Sequence, residues 1–170
     1  MSSPRADGVP ALAWSTDNCT VGRSMAILGE RWVLVVLREV FNGVRRFEDI
    51  RDHGGIPRQV LSDRLALLVE HGILVRVPYR PEGQRERYEY RLTPKGFDLY
   101  PVFVAIADWG AKYVADPEGP PVEVAHRGCG AVVHAELVCE EGHLVPERRD
   151  VAPRPGPGVK PRQESSSAAR

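Results

Sequence analysis

The chain has 170 residues, with 23 Lys and Arg against 23 Asp and Glu, so its formal net charge at pH 7 is zero. That balance excludes recognition of an anionic partner through a global field and requires a local basic patch instead. No apolar stretch approaches the ~20 residues of a membrane span, MSSPRADGVPALAWSTDN lacks the apolar core of a secretion signal, and Cys19, Cys129 and Cys139 are too few for a disulfide framework, which together point to the cytoplasm.

Composition divides the chain. Residues 1–17 are small and polar and read as a flexible arm, and residues 18–115 are dense in Leu, Val, Ile and aromatics and read as the folded domain. Residues 116–150 open on DPEGPP and form a Cys- and His-bearing extension. Residues 151–170, from VAPRPGPG to SSSAAR, carry too little apolar surface to order themselves and are expected to be a disordered tail. No internal repeat is present.

The first helix is expected over 18–29, with Asp17 or Asn18 as N-cap and Val21, Met25 and Leu28 at helical spacing. A second, over 31–41, places Trp32, Val33, Val36, Leu37 and Val40 on one side and ends at Gly43. Phe47 and Ile50 mark a short third helix, stopped by His53-Gly54-Gly55. Pro57 suits a first helical position, where a missing N–H costs nothing, and the helix over 57–71 buries Leu61, Leu65 and Leu68 before Gly72 ends it. ILVRVPYR, the turn PEGQ and RERYEYRLT then read as a hairpin with Tyr88, Tyr90 and Leu92 on one face. Thr93-Pro94 opens a last helix to about Val114. The order predicts a mainly α fold with a small β-hairpin, an α+β winged helix-turn-helix with the hairpin as wing.

The basic patch lies in this frame. With Leu61, Leu65 and Leu68 inward, Gln59, Ser62, Asp63 and Ala66 face outward and Arg58 and Arg64 flank them. Polar side chains at that end of a recognition helix are what reaches base edges in a major groove. The wing adds Arg76, Arg80, Arg85, Arg87, Arg91 and Lys95 against Glu82, Glu86 and Glu89, an excess of three positive charges (six less three). Arginine forks match phosphate oxygens. The plain alternative is a set of solvated charges, which the helix-turn-helix order disfavours.

Three blocks in order, CTVGRSMAILGERWVLVVLREV, GIPRQVLSDRL and YEYRLTPKG, resemble the HxlR family of bacterial transcriptional regulators, relatives of the MarR group, over residues 18–115. The resemblance implies a homodimer on a pseudo-palindromic operator of double-stranded DNA, with Pro57 to Leu65 as recognition helix, the wing between Tyr79 and Tyr88, and Trp32 as a core residue. It also implies a sensing position near the start of the first helix, occupied here by Cys19, although Thr20 stands where many members carry proline. A thiol at a helix start gains thiolate character. The alternative is a small hydrophobe packing the first helix into a dimer.

The extension HRGCGAVVHAELVCEEGH is similar to one in many actinobacterial members of the family. His126-x2-Cys129-x9-Cys139-x3-His143 could supply four zinc ligands. The alternation in AVVHAELVC equally fits a plain hairpin, which is the expectation adopted, with no metal or other cofactor assigned.

The closing helix is apolar nearly all round. Phe97, Tyr100, Val104 and Ala111 hold one side, and Leu99, Val102, Phe103, Ile106, Trp109 and Tyr113 the other. Pro101 requires a kink or an early turn. One domain of this size covers one side, so the other is expected to meet a second copy, joined by Val21 and Met25 of the first helix. A tail folded over that side is the alternative. The chain therefore reads as a cytoplasmic, sequence-specific DNA-binding repressor acting as a homodimer and answering an oxidant or a small-molecule effector. No phosphate loop, nucleophile elbow or HExxH helix supports an enzyme. The competing reading is a small metal-binding protein or enzyme built on residues 126–143. A protein-binding scaffold would not need so basic a wing.

Overall fold

The apolar spacings close into helices in the expected order in a computed structural model that describes residues 14–80, 82–83 and 85–162. These helices are α1 (Thr20–Leu28), α2 (Arg31–Phe41), α3 (Phe47–Gly54) and α4 (Arg58–Glu70). Strands β1 (Leu74–Tyr79) and β2 (Arg87–Leu92), then α5 (Pro94–Phe97) and α6 (Tyr100–Tyr113), complete the domain. Most of the expected flexible arm, residues 1–13, lies outside the described residues. So do the last eight residues of the expected tail, and Pro81 and Gln84 of the wing turn.

Of the described residues, 14–26 and 137–162 form one compact unit and Ile27–Glu136 the other. The second unit is a winged helix-turn-helix. Its core joins Val33, Val36, Leu37 and Val40 of α2 to Ile50 of α3 and Leu61, Leu65 and Leu68 of α4. Each such side chain contributes about 1.5–3 kcal/mol on burial. Trp32 is half-buried against that core, as expected of a core residue of α2. Gly55, in the left-handed region at φ 61°, ends α3 and turns the chain toward Ile56 and α4.

One polar group sits in this core. The Glu39 carboxylate is fully buried, and it accepts from the Arg38 guanidinium, with Nε at 2.9 Å, and contacts His53 Nδ1 at 2.5 Å. A buried carboxylate is tolerable only with such partners, and here they tie α2 to α3.

The hairpin is antiparallel, with Leu74 opposite Leu92 and Tyr79 opposite Arg87. The approach to α3 adds a partial third rung. The Tyr90 N–H donates to the Arg45 carbonyl at 2.8 Å, and Arg46 bridges Glu89. The loop thus fixes the wing relative to the helix-turn-helix.

Three boundaries differ from the expectation. Neither Asp17 nor Asn18 caps α1; Cys19 does, its sulfur accepting the Gly22 N–H at 3.4 Å, while Asn18 Nδ2 donates to the Gly158 carbonyl at 2.5 Å. Pro57 is the residue before α4, not its first helical residue. The single closing helix is two: α5 is held by Thr93, which accepts from the Gly96 N–H at 3.1 Å, and α6 starts anew at Tyr100 with Pro101 in its first turn. A proline is harmless there.

In the other unit, residues of the expected tail run back along the chain start. Ser15 N–H donates to the Lys160 carbonyl at 2.8 Å, and Trp14 bridges Pro161. The extension forms two tight turns in place of one hairpin along AVVHAELVC. Ala125 bridges Val132 in the winged-helix unit, and Val138 bridges Leu144 in the other.

Candidate nucleic-acid interface

The N-terminal half of α4 presents Arg58, Gln59, Ser62, Asp63 and Ala66 to solvent, because Leu61 and Leu65 between them are buried. Gln59 Nε2 donates to Asp63 Oδ1 one turn on, at 2.9 Å, which orders the amide along the helix and leaves its oxygen available. Arg58 lies over the Phe47 ring at 5.2 Å and pairs with Glu48 at 2.8 Å.

Arg64 is placed differently. It is half-buried and paired with Glu30 at 2.5 Å, so it braces the start of α2 instead of flanking the outward face.

Beside α4 a cleft of about 840 Å³ opens toward the wing, lined by Gln59 and Ser62, by Arg46 and Arg58, and by Arg76 and Arg87. Besides Arg58 on Phe47, two more of its guanidinium groups lie on aromatic rings, Arg46 over Tyr79 at 4.8 Å and Arg76 over Tyr88 at 4.0 Å. Stacking restricts a long side chain while leaving its in-plane N–H groups free for an anion. Arg80 and Arg85 are exposed near the wing turn. The arrangement can grip phosphates from two sides of a helix that carries amide and hydroxyl groups for base edges.

Arg46, Tyr79 and Tyr88 were not among the residues expected here. Their only signal in the sequence is the pair Arg45-Arg46 ahead of Phe47, which acquires meaning once residue 46 bridges residue 89. Nearby, Asp52, through hydrogen bonding and its charge, raises the Arg51 guanidinium above its ordinary value, so Arg51 stays charged.

Cys19 is exposed. Val21 and Met25 on α1, and Val102, Ile106, Trp109 and Tyr113 on α6, are all exposed. Phe103 and Leu99, expected on the outward side of the closing helix, turn inward: Phe103 lies 5.3 Å from the Phe41 ring and Leu99 packs on the core.

In the winged-helix unit His126 Nδ1 lies 3.2 Å from Cys129 Sγ, and in the other unit Cys139 Sγ lies 3.5 Å from His143 Nδ1. Among the described residues no group of three or more His, Cys, Asp or Glu is gathered to hold a metal. No described helix is long and apolar enough to cross a membrane.

Residues 27–118 match a family model described as an HxlR-like helix-turn-helix. An HTH-type transcriptional regulator of Mycobacterium tuberculosis H37Rv is 46% identical over 147 residues, covering 86% of this chain and 92% of that protein. The Bacillus subtilis HTH-type regulator YvaP is 34% identical over 100 residues, 56% of this chain and 86% of its own. Among solved structures, a candidate transcription factor, PA1607, superposes with a TM-score of 0.70 at 33% identity, covering 80% of this chain and 94% of that one. A second, from Pseudomonas aeruginosa, gives 0.57 at 31% identity over 84% of this chain and 95% of that one.

Proposed function

The chain belongs to the HxlR-like helix-turn-helix family of transcriptional regulators, and from that premise we propose that it represses transcription by binding a pseudo-palindromic operator as a homodimer. The observation that carries the reading is the cleft between α4 and the wing. Gln59 and Ser62 stand there beside guanidinium groups held on Tyr79 and Tyr88. In this reading α4 enters the major groove. Gln59 offers its amide to a base edge, Ser62 adds a hydroxyl, and Asp63 orients Gln59. Arg58, Arg80, Arg85 and Arg87 meet phosphates and set the register. Arg64 acts indirectly, by fixing α4 against α2.

Selection of genomic fragments by the purified full chain, followed by footprinting, tests the reading. The expected footprint has two inverted half-sites centred about one helical turn of DNA apart, or a multiple of it. In vitro transcription from the bound promoter should fall as protein is added. A single unrepeated half-site would overturn the dimer, and increased transcription would overturn repression.

A second reading concerns the signal. Cys19 is exposed at the cap position just before α1, where an oxidant can reach it, so thiol oxidation would act on the helix carrying Val21 and Met25. Treatment with diamide should release wild-type protein from its operator and leave Cys19→Ser bound. Release of both, or of neither, removes Cys19 as the switch.

A further inference from the structure

A second cleft, of about 860 Å³, lies in the winged-helix unit between the α2–α3 loop, the end of β2, the α5–α6 corner and the 124–133 turn. Its floor is apolar, built from Val40, Phe41, Leu92, Phe97, Tyr100 and Val133. The rings of Phe41 and Tyr100 pack at 4.9 Å, which fixes that floor, and Phe97 is its exposed part.

Its charged lining is of one sign. Arg45, Arg91 and Arg127 contribute, and no Asp or Glu does, in a chain whose acids and bases are equal in number. Arg91 is neutralised by Glu89 at 2.5 Å, whereas Arg45 and Arg127 have no carboxylate partner among the described residues.

The remaining wall is built and anchored. Val133 N–H donates to the Val124 carbonyl at 2.7 Å, and His126 N–H to the Ala131 carbonyl at 2.8 Å. Asp108 of α6 holds the segment that follows, accepting from the Ala135 N–H at 2.8 Å and contacting His134 Nδ1 at 3.2 Å. This wall lies beyond the matched family domain, which ends at residue 118. The common fold supplies only part of the cleft.

A volume within the range of about 300–1,000 Å³, an aromatic floor and a small number of placed charges describe a small-molecule site. Ring faces accept an aromatic body, and an unpaired guanidinium fork accepts a carboxylate through two parallel hydrogen bonds. We propose that this cleft binds an aryl carboxylate, with its ring against Phe41, Phe97 and Tyr100 and its carboxylate on Arg45 and Arg127. The site is distinct from the cleft beside α4, and its occupancy does not depend on DNA recognition.

The test uses the purified full chain without DNA and 1-naphthoate as probe, followed by calorimetry, with 1-naphthamide and inorganic phosphate as comparisons. Naphthoate should bind saturably, and the uncharged amide about 10-fold or more weakly, the cost of losing a charge-assisted pair. Arg45→Ala with Arg127→Ala should weaken naphthoate by about 10–100-fold, whereas Arg85→Ala with Arg87→Ala should leave it unchanged. Equal binding of amide and acid overturns the proposal. So does displacement by phosphate, which would mark a bare phosphate site, and so does an unaffected Arg45/Arg127 variant or the absence of saturable naphthoate binding. Binding of duplex DNA by the Arg45/Arg127 variant is measured alongside. Retained DNA binding shows that the variant is folded, and it separates failure of this site from failure of the DNA-binding reading.

Discussion

Gln59 and Asp63 set the terms at the scale of single residues. The amide is already ordered by its bond to Asp63, so less freedom is lost when it meets a base. Gln59→Ala should therefore weaken operator binding by about 1–3 kcal/mol and leave a scrambled duplex nearly unaffected. Equal losses on both duplexes would mean that Gln59 does not read bases. Asp108 yields a pH prediction. The Ala135 N–H holds its carboxyl below the ordinary aspartate value; burial opposes it, and the hydrogen bond and charge of His134 add smaller contributions in the lowering direction. A depressed folded value means that the ionised form favours the folded attachment. That attachment is complete above the unfolded aspartate value of ~3.9 and is lost as pH falls through the lower folded value. The Ala135 amide proton shift should titrate in that acidic window in wild type and not in Asp108→Ala, and a midpoint at or above the ordinary value would contradict it. A helical wheel located Gln59, Ser62 and Asp63 because exposure along one helix is a local property. It misplaced Arg64, whose partner Glu30 lies on another part of the chain, and it had no means of pairing Arg46 with Tyr79 across the wing.

At the scale of elements, Thr93-Pro94-Lys95-Gly96 joins the wing to the closing helices. The Thr93 hydroxyl donates to the Gly72 carbonyl at 2.6 Å and accepts the Gly96 N–H, while the Thr93 N–H donates to Ile73. Gly96 is buried against that same strand start. A Cβ there would stand 2.3 Å from the Ile73 carbonyl oxygen, which is backbone and cannot swing away. Gly96→Ala should cost about 1–3 kcal/mol of unfolding free energy, read by urea denaturation, and an unchanged midpoint would show that the junction yields freely. The wing has its own test, since Arg85 and Arg87 are exposed beside its turn. Replacing both with Ala should lower affinity on every sequence and shallow the salt dependence by about one unit per lost phosphate contact; an unchanged slope removes the wing from the interface. Element order was legible because apolar spacing, glycines and prolines act within a few residues. The split of the closing helix was less so. Pro101 signalled an early turn, but the docking that separates α5 from α6 runs through Gly72 and Ile73, some twenty residues upstream.

At the scale of the whole molecule, pairings made far along the chain escape any local pattern. Asn18 meets Gly158, and a segment expected to be a featureless tail runs beside Trp14 and Ser15. The apolar excess of the closing helix, by contrast, was visible in the sequence and persists in the fold. Within the winged-helix unit, Val104 is the one residue of α6 that is fully buried, and Phe103 and Tyr100 pack on Phe41. Ile106 remains 46%, Trp109 57% and Tyr113 61% exposed, with Val102 beside them at 47%. A row of large apolar side chains along a helix marks an interaction surface. Across a two-fold axis the row is self-complementary, since each copy offers the same residues to the other. In the proposed dimer that axis would place two α4 helices about 34 Å apart, one helical turn of DNA or a multiple of it, as the operator reading requires. Light scattering at micromolar concentration should give twice the mass of one chain. Ile106→Glu would set a charge against its own symmetry mate in a desolvated seam, and it should return the mass to that of one chain while reducing operator affinity to the level of a scrambled duplex. Ile106→Ala, which removes volume without adding charge, should weaken the dimer and leave a concentration-dependent mass, showing that the effect follows the interface and not the fold. A wild-type chain that stays monomeric would mean that the α6 face is covered from within the same molecule, and the paired half-sites would go with it.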